Sequence, residues 1–189
     1  MSPGTATTDP ALAAVDRFAA RVRTISWFAA AGEPLLDIER SEAEQYLESL
    51  GLERVRVSLA KDWAEAERIL RDPCWDRRWW ESEETLRKAL LAEAARGREM
   101  DLLMRALTRV TNEATATVLG IASTAALRSG SGDRALVAVA AGAATQACYQ
   151  AALALAAGAG EAHPFALKWR LFEAGRWPLA VIEGVFYLF

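Results

Sequence analysis

Residues 100–160 read MDLLMRALTRVTNEATATVLGIASTAALRSGSGDRALVAVAAGAATQACYQAALALAAGAG, and the fold follows from this stretch. In its first half Leu103, Leu107, Val110 and Ala114 recur at helical spacing. On another face Asp101, Arg105, Arg109 and Glu113 follow one another four residues apart, so opposite charges neighbour one another along the helix. Beyond Glu113 the charges vanish until Arg128, and Val118, Leu119, Ile121 and Leu127 alternate with small residues, as in a helix covered on several sides. Ser129-Gly-Ser-Gly-Asp133 is a turn, after which a second helix folds back on the first.

The second half has no Asp, Glu, Lys or Arg from Ala135 to Gly160, a length that raises the possibility of a membrane span. Its centre argues against one, because Thr145, Gln146, Tyr149 and Gln150 lie where hydrocarbon least tolerates amides. Ala138, Gly142, Ala147 and Ala151 instead allow close approach of a neighbouring backbone. The expectation is an all-α bundle centred on an antiparallel helix hairpin, about 98–129 and 133–158.

Outward from this hairpin, helix signals recur. Asp9 before Pro10 opens a helix carrying Leu12, Val15, Phe18, Val22, Ile25 and Ala29, with Gly32 as a stop. Ser41 with Glu44 reads as a capping box for a short helix ending at Gly51. Asp62 with Glu65 starts another that closes before Pro73. After a Trp-rich turn, Ser82 caps a helix through Leu86 and Leu90 as far as Gly97. Pro164 opens a helix closed by Gly175, and Pro178 opens a last one, apolar on all sides from Leu179 to Phe189. One short strand is expected near 54–59, where Val55, Val57 and Leu59 alternate with Arg56 and Ser58; its partner would lie elsewhere, even across a dimer. Residues 1–8 read as a loose N-terminal tail and 9–189 as a single helical domain.

The chain has 189 residues, 52% apolar and 25% charged, the composition of an ordinary globular protein. A net charge of -3 and a pI near 5.4 give no overall attraction to nucleic acid. Cys74 and Cys148 form neither a CxxC pair nor a zinc spacing, and the polar N-terminus lacks the form of a secretory signal, so a cytoplasmic location is expected.

No Walker sequence, GxSxG elbow or HExxH is present. Gly158-Ala-Gly160 lacks the third glycine of a dinucleotide fingerprint. The single histidine, His163, rules out paired Glu-x-x-His di-iron ligation and reads as a loop or cap residue beside Pro164. No cofactor or metal is expected. Three constellations stand out. Trp75, Arg77, Arg78, Trp79 and Trp80 combine the residue types enriched at binding hot spots, although indoles at a core edge with arginines stacked on them give the same pattern. Glu113 could face Gln146 or Gln150 across the hairpin as a buried acid-base group, or simply pair with Arg109. Glu183, isolated among apolar residues, is a catalytic candidate or a partner of Arg176, Lys168 or Arg170. The expected function is a helical protein–protein interaction or assembly module, self-associating or meeting a protein partner, with no nucleic acid and no membrane span. The alternative is an enzyme or ligand-binding protein with a pocket in the bundle lined by Trp, Arg and a buried Glu.

Overall fold

The structure is a computed structural model that describes residues 9–128, 130 and 133–189. The tail expected over residues 1–8 and most of the Ser129–Gly132 turn lie outside the described residues. The chain is mainly helical, with seven helices and a small three-stranded sheet among the described residues.

The expected hairpin is present as α5 (Met100–Arg128) and α6 (Arg134–Ala156). Leu103, Leu107, Val110, Ala114, Val118, Ala122 and Ala126 form a single buried row along α5, and most residues on its other faces are exposed or half-buried. Burial is broader on α6, where Ala140, Ala144, Ala147, Ala151 and Ala154 admit the neighbouring helices closely. Asp133 caps α6 by accepting from the N–H groups of Ala135 (2.7 Å) and Leu136 (3.3 Å). By length and composition α6 could cross a membrane, yet 61% of its most apolar window is buried within this chain.

Around the hairpin lie α1 (Pro10–Val22), α2 (Asp37–Ser49), α3 (Trp63–Leu70), α4 (Arg77–Ala95) and α7 (Pro164–Glu173). Asp9 caps α1 as its sequence implies, accepting from Ala11 N–H at 2.9 Å. The helix stops at Val22 instead of continuing toward Gly32. There the Trp27 indole N–H donates to the Val22 carbonyl (3.2 Å) and the Thr24 hydroxyl to that of Arg21 (2.8 Å), so side chains satisfy carbonyls that another turn would have used. The second helix starts at Asp37, not Ser41: the Glu39 carboxylate accepts from the Leu36 N–H (2.9 Å), and Ser41 lies inside the helix with its hydroxyl accepting from Gln45 Nε2 (3.2 Å). Likewise α4 starts at Arg77, capped by Asp76, which accepts from Arg78 N–H at 2.9 Å. What reads as a Trp-rich turn before Ser82 is therefore its first turn. Gly175 closes α7 at φ 81°, and a Cβ there would sit 2.8 Å from the Ala30 nitrogen.

The largest departure is at the C-terminus. The expected last helix is a β-hairpin, β2 (Pro178–Ile182) and β3 (Val185–Leu188), turning through Glu183 and Gly184 at φ 48° and 71°. With β1 (Arg56–Leu59) it forms a sheet of order β1-β3-β2. The strand read from the alternation at 54–59 exists, and its partner is β3 of the same chain, parallel, with Val57 opposite Phe186 and Leu59 opposite Leu188. Pro178 suits the first residue of an edge strand as well as it suits a first helical turn. The run after it is too short for its periodicity to separate the two. One core of the molecule fills the space among α1, α3, α5 and α6; the other lies between the sheet and α2 and α7, where Tyr46, Leu47, Leu171, Phe186 and Leu188 meet.

Candidate functional site

Where α4, α6, α7 and β2 converge, a cavity of about 200 Å³ opens to the surface. Its mouth carries Trp75 and Trp80, 41% and 50% exposed, with Val139 and Gln146 of α6. Its walls include Trp79, Phe172 and Trp177, and its floor carries two buried charges, Glu83 and Lys168.

The floor is a closed hydrogen-bond network. Lys168 Nζ donates to both oxygens of Glu83, at 2.7 Å to Oε1 and 2.8 Å to Oε2. The Tyr46 hydroxyl donates to Oε1, and Gln150 Nε2 donates to Oε2 at 3.2 Å. Tyr46 in turn accepts from Trp79 Nε1 at 2.6 Å, and the Lys168 ammonium lies 5.6 Å from the centre of the Trp79 ring. Burial, reinforced by the charge of Glu83, pushes the Tyr46 phenol well above its ordinary value of 10, so it stays a donor. Gln150 Oε1 is buried with no hydrogen-bond partner, because turning its amide around would set an oxygen against the carboxylate. The network joins α2, α6 and α7 through one side chain each, and α4 through Glu83 and Trp79.

A second buried pair differs in kind. Arg176 Nη2 donates to Glu39 Oε2 (2.8 Å), and the same guanidinium reaches the carbonyls of Ala30 (2.5 Å), Glu33 (2.7 Å) and Pro34 (2.7 Å). It fastens the segment between α1 and α2, and neither residue lines a cavity described here.

Of the residues singled out from sequence, Trp75, Trp79 and Trp80 come together at this cavity and the two arginines do not. Arg77 is exposed, and Arg78 turns back onto Asp76, its Nε 3.0 Å from Oδ2. Glu113 faces neither Gln146 nor Gln150. It is paired on the surface with Arg23, Oε2 accepting from Nε at 2.7 Å, while Arg109 pairs with Asp16 at 3.0 Å, so the expected Glu113–Arg109 pair is absent too. α1 supplies Asp16 to Arg109, and Arg23, the residue just after α1, pairs with Glu113. Glu183 is exposed in the β-hairpin turn with none of its expected partners, because the segment is not a helix. His163 is a cap: its Nδ1 accepts from Phe165 N–H at 3.1 Å.

Glu83, Lys168, Tyr46 and Gln150 were not singled out as a site. Two of them carry a legible signal. Lys168 is one of only three lysines in a chain that otherwise takes Arg for its basic residues, and Gln150 is an amide in the charge-free run from Ala135 to Gly160. Nothing in the sequence pairs either with Glu83, 67 residues from Gln150 and 85 from Lys168. Among the described residues no cluster of three His, Cys, Asp or Glu side chains could hold a metal ion. Neither a protein-family model, a curated protein nor a solved structure matches this chain.

Proposed function

We propose that this chain is a helical binding protein, a protein–protein interaction or assembly module whose recognition surface is the Trp75–Trp80 face and the cavity behind it. The observation that carries the reading is the exposure of two indoles at the mouth of a cavity with a buried, ion-paired floor. Solvent-facing Trp is costly unless something covers it, and Trp is the residue most enriched at binding hot spots. Size favours a side chain over a cofactor as the occupant, since about 200 Å³ falls below the roughly 300–1,000 Å³ of ordinary small-molecule sites. Chemistry points the same way: Glu83 is already saturated with donors and Tyr46 is held protonated, so the site offers no ready general base.

Self-association is a second use we propose, favoured by Leu102, Leu119 and Leu127 of α5, which are 44%, 48% and 67% exposed. A reducing, cytoplasmic setting fits two free cysteines, one of them exposed.

The test compares wild type with Trp75→Ala and Trp80→Ala. Both indoles are partly solvated, so each variant should melt within a few degrees of wild type and lose a partner captured from the native host by about tenfold, or ~1.4 kcal/mol. Capture unchanged in both variants would remove this face as the recognition surface.

A further inference from the structure

We infer that the cavity takes an apolar group, about the size of one amino-acid side chain, that ends in a neutral hydrogen-bond acceptor such as a carbonyl oxygen. The inference rests on the reading of this cavity as the recognition site and names the chemistry that enters it.

The argument is an inventory of donors and acceptors. An ionised carboxylate offers about four lone-pair positions, and Glu83 has four donors on them: Tyr46, Gln150 and two from Lys168. It has nothing left to give a cationic or donor-rich ligand. Lys168 carries three N–H groups and spends two on Glu83; the third has no protein acceptor among the described residues. The indole N–H groups of Trp75 and Trp80 likewise bond no described protein group. Among the side chains that line the cavity the unspent polar groups are donors, apart from the exposed Gln146 amide at the mouth; Gln150, whose Oε1 has no partner, is not one of the lining residues.

Charge narrows the class. Glu83 and Lys168 sum to zero, and both are more than nine-tenths buried. An anion beside Lys168 would leave the floor with a net negative charge in a low-dielectric setting, and a cation would add a positive charge beside Lys168 with the Glu83 carboxylate already filled; either carries an uncompensated desolvation penalty. A carbonyl takes the spare N–H and leaves the charge balanced. The walls supply the rest, since Trp79, Phe172 and Trp177 offer ring faces and edges to a flat apolar body.

The experiment titrates the intact protein with three probes of one shape, N,N-dimethylbenzamide, benzoate and benzylammonium, read by tryptophan fluorescence and saturation-transfer NMR. The neutral amide should bind saturably and at least tenfold more tightly than either charged probe. Ala143→Leu, which places bulk on the cavity wall without touching the floor, should abolish that binding. The paired replacement Glu83→Gln with Lys168→Met, which leaves no unpaired charge, should weaken it severalfold. Benzoate or benzylammonium binding as tightly as the amide, no saturable binding of any probe, or binding unaffected by Ala143→Leu would each overturn the inference. Amide binding blocked by Ala143→Leu alongside partner capture indifferent to Trp75→Ala and Trp80→Ala would leave the inference standing and defeat the interaction-module reading instead.

Discussion

A single buried carboxylate organises the candidate site, and its worth is read best by breaking it. Lys168→Met alone would leave Glu83 charged in the interior with only Tyr46 and Gln150 as donors. The expected loss is about 3–5 kcal/mol, seen as a lower urea midpoint. Replacing the pair together should recover much of that loss, because a neutral amide beside a thioether of similar volume needs no counter-charge. A double variant no more stable than Lys168→Met would show that the pair acts through packing alone. His163 gives a second residue-scale outcome. Burial holds its imidazole below the ordinary value of 6.5, and the neutral ring caps α7 through Nδ1. A histidine whose folded value is depressed contributes stability that is present above its unfolded value and is lost as pH falls through the folded one. The thermal midpoint should therefore drop as pH is lowered from about 7 to 5. His163→Asn, which keeps a cap and does not titrate, should flatten that part of the profile. An equal slope in the variant would move the effect elsewhere.

At the scale of elements, ends and turns decided what periodicity left open. The β2–β3 hairpin turns on two consecutive positive-φ residues, Glu183 and Gly184, the pattern of a type I′ turn. Glycine accepts that geometry freely, whereas glutamate is strained in it and asparagine less so. Glu183→Asn should stabilise the protein by about 0.5–1 kcal/mol through relief of that strain. An unchanged melting temperature would mean that the turn relaxes without cost. The same logic places α4: Asp76 supplies the cap that Ser82 does not, and starting six residues earlier puts Trp79 and Trp80 on a helix that aims them at α6 and α7.

Across the whole molecule, the C-terminal strand is the middle one. β3 pairs with β1 on one side and β2 on the other, and Phe189 exchanges backbone bonds with Trp177, its carbonyl accepting at 2.5 Å and its N–H donating at 2.9 Å. Removing residues 185–189 would strip both neighbours of their ladder and delete Phe186 and Leu188 from the core between sheet and helices. That truncation should abolish cooperative thermal unfolding. A truncated chain that still melts in one sharp transition would show the bundle to be independent of the sheet.

The sequence by itself determined the mainly helical class, the α5–α6 hairpin, the helix starts at Asp9 and Asp62 and the strand at Arg56–Leu59. Each rests on a signal confined to a few neighbouring residues: a repeat of 3.6 or 2, a capping side chain, a turn. The three indoles that it singled out by density, Trp75, Trp79 and Trp80, line one cavity. Only the tertiary structure decided that the last apolar run is a hairpin, because a strand inserted between two others is specified by the partners it meets and not by its own periodicity. The same is true of the cavity floor. Tyr46, Glu83, Gln150 and Lys168 come from four helices, and no local pattern in any one helix encodes where the other three will stand. The docking of α2, α4 and α7 against α6 brings the four side chains together, and burial at that junction turns ordinary polar residues into one network.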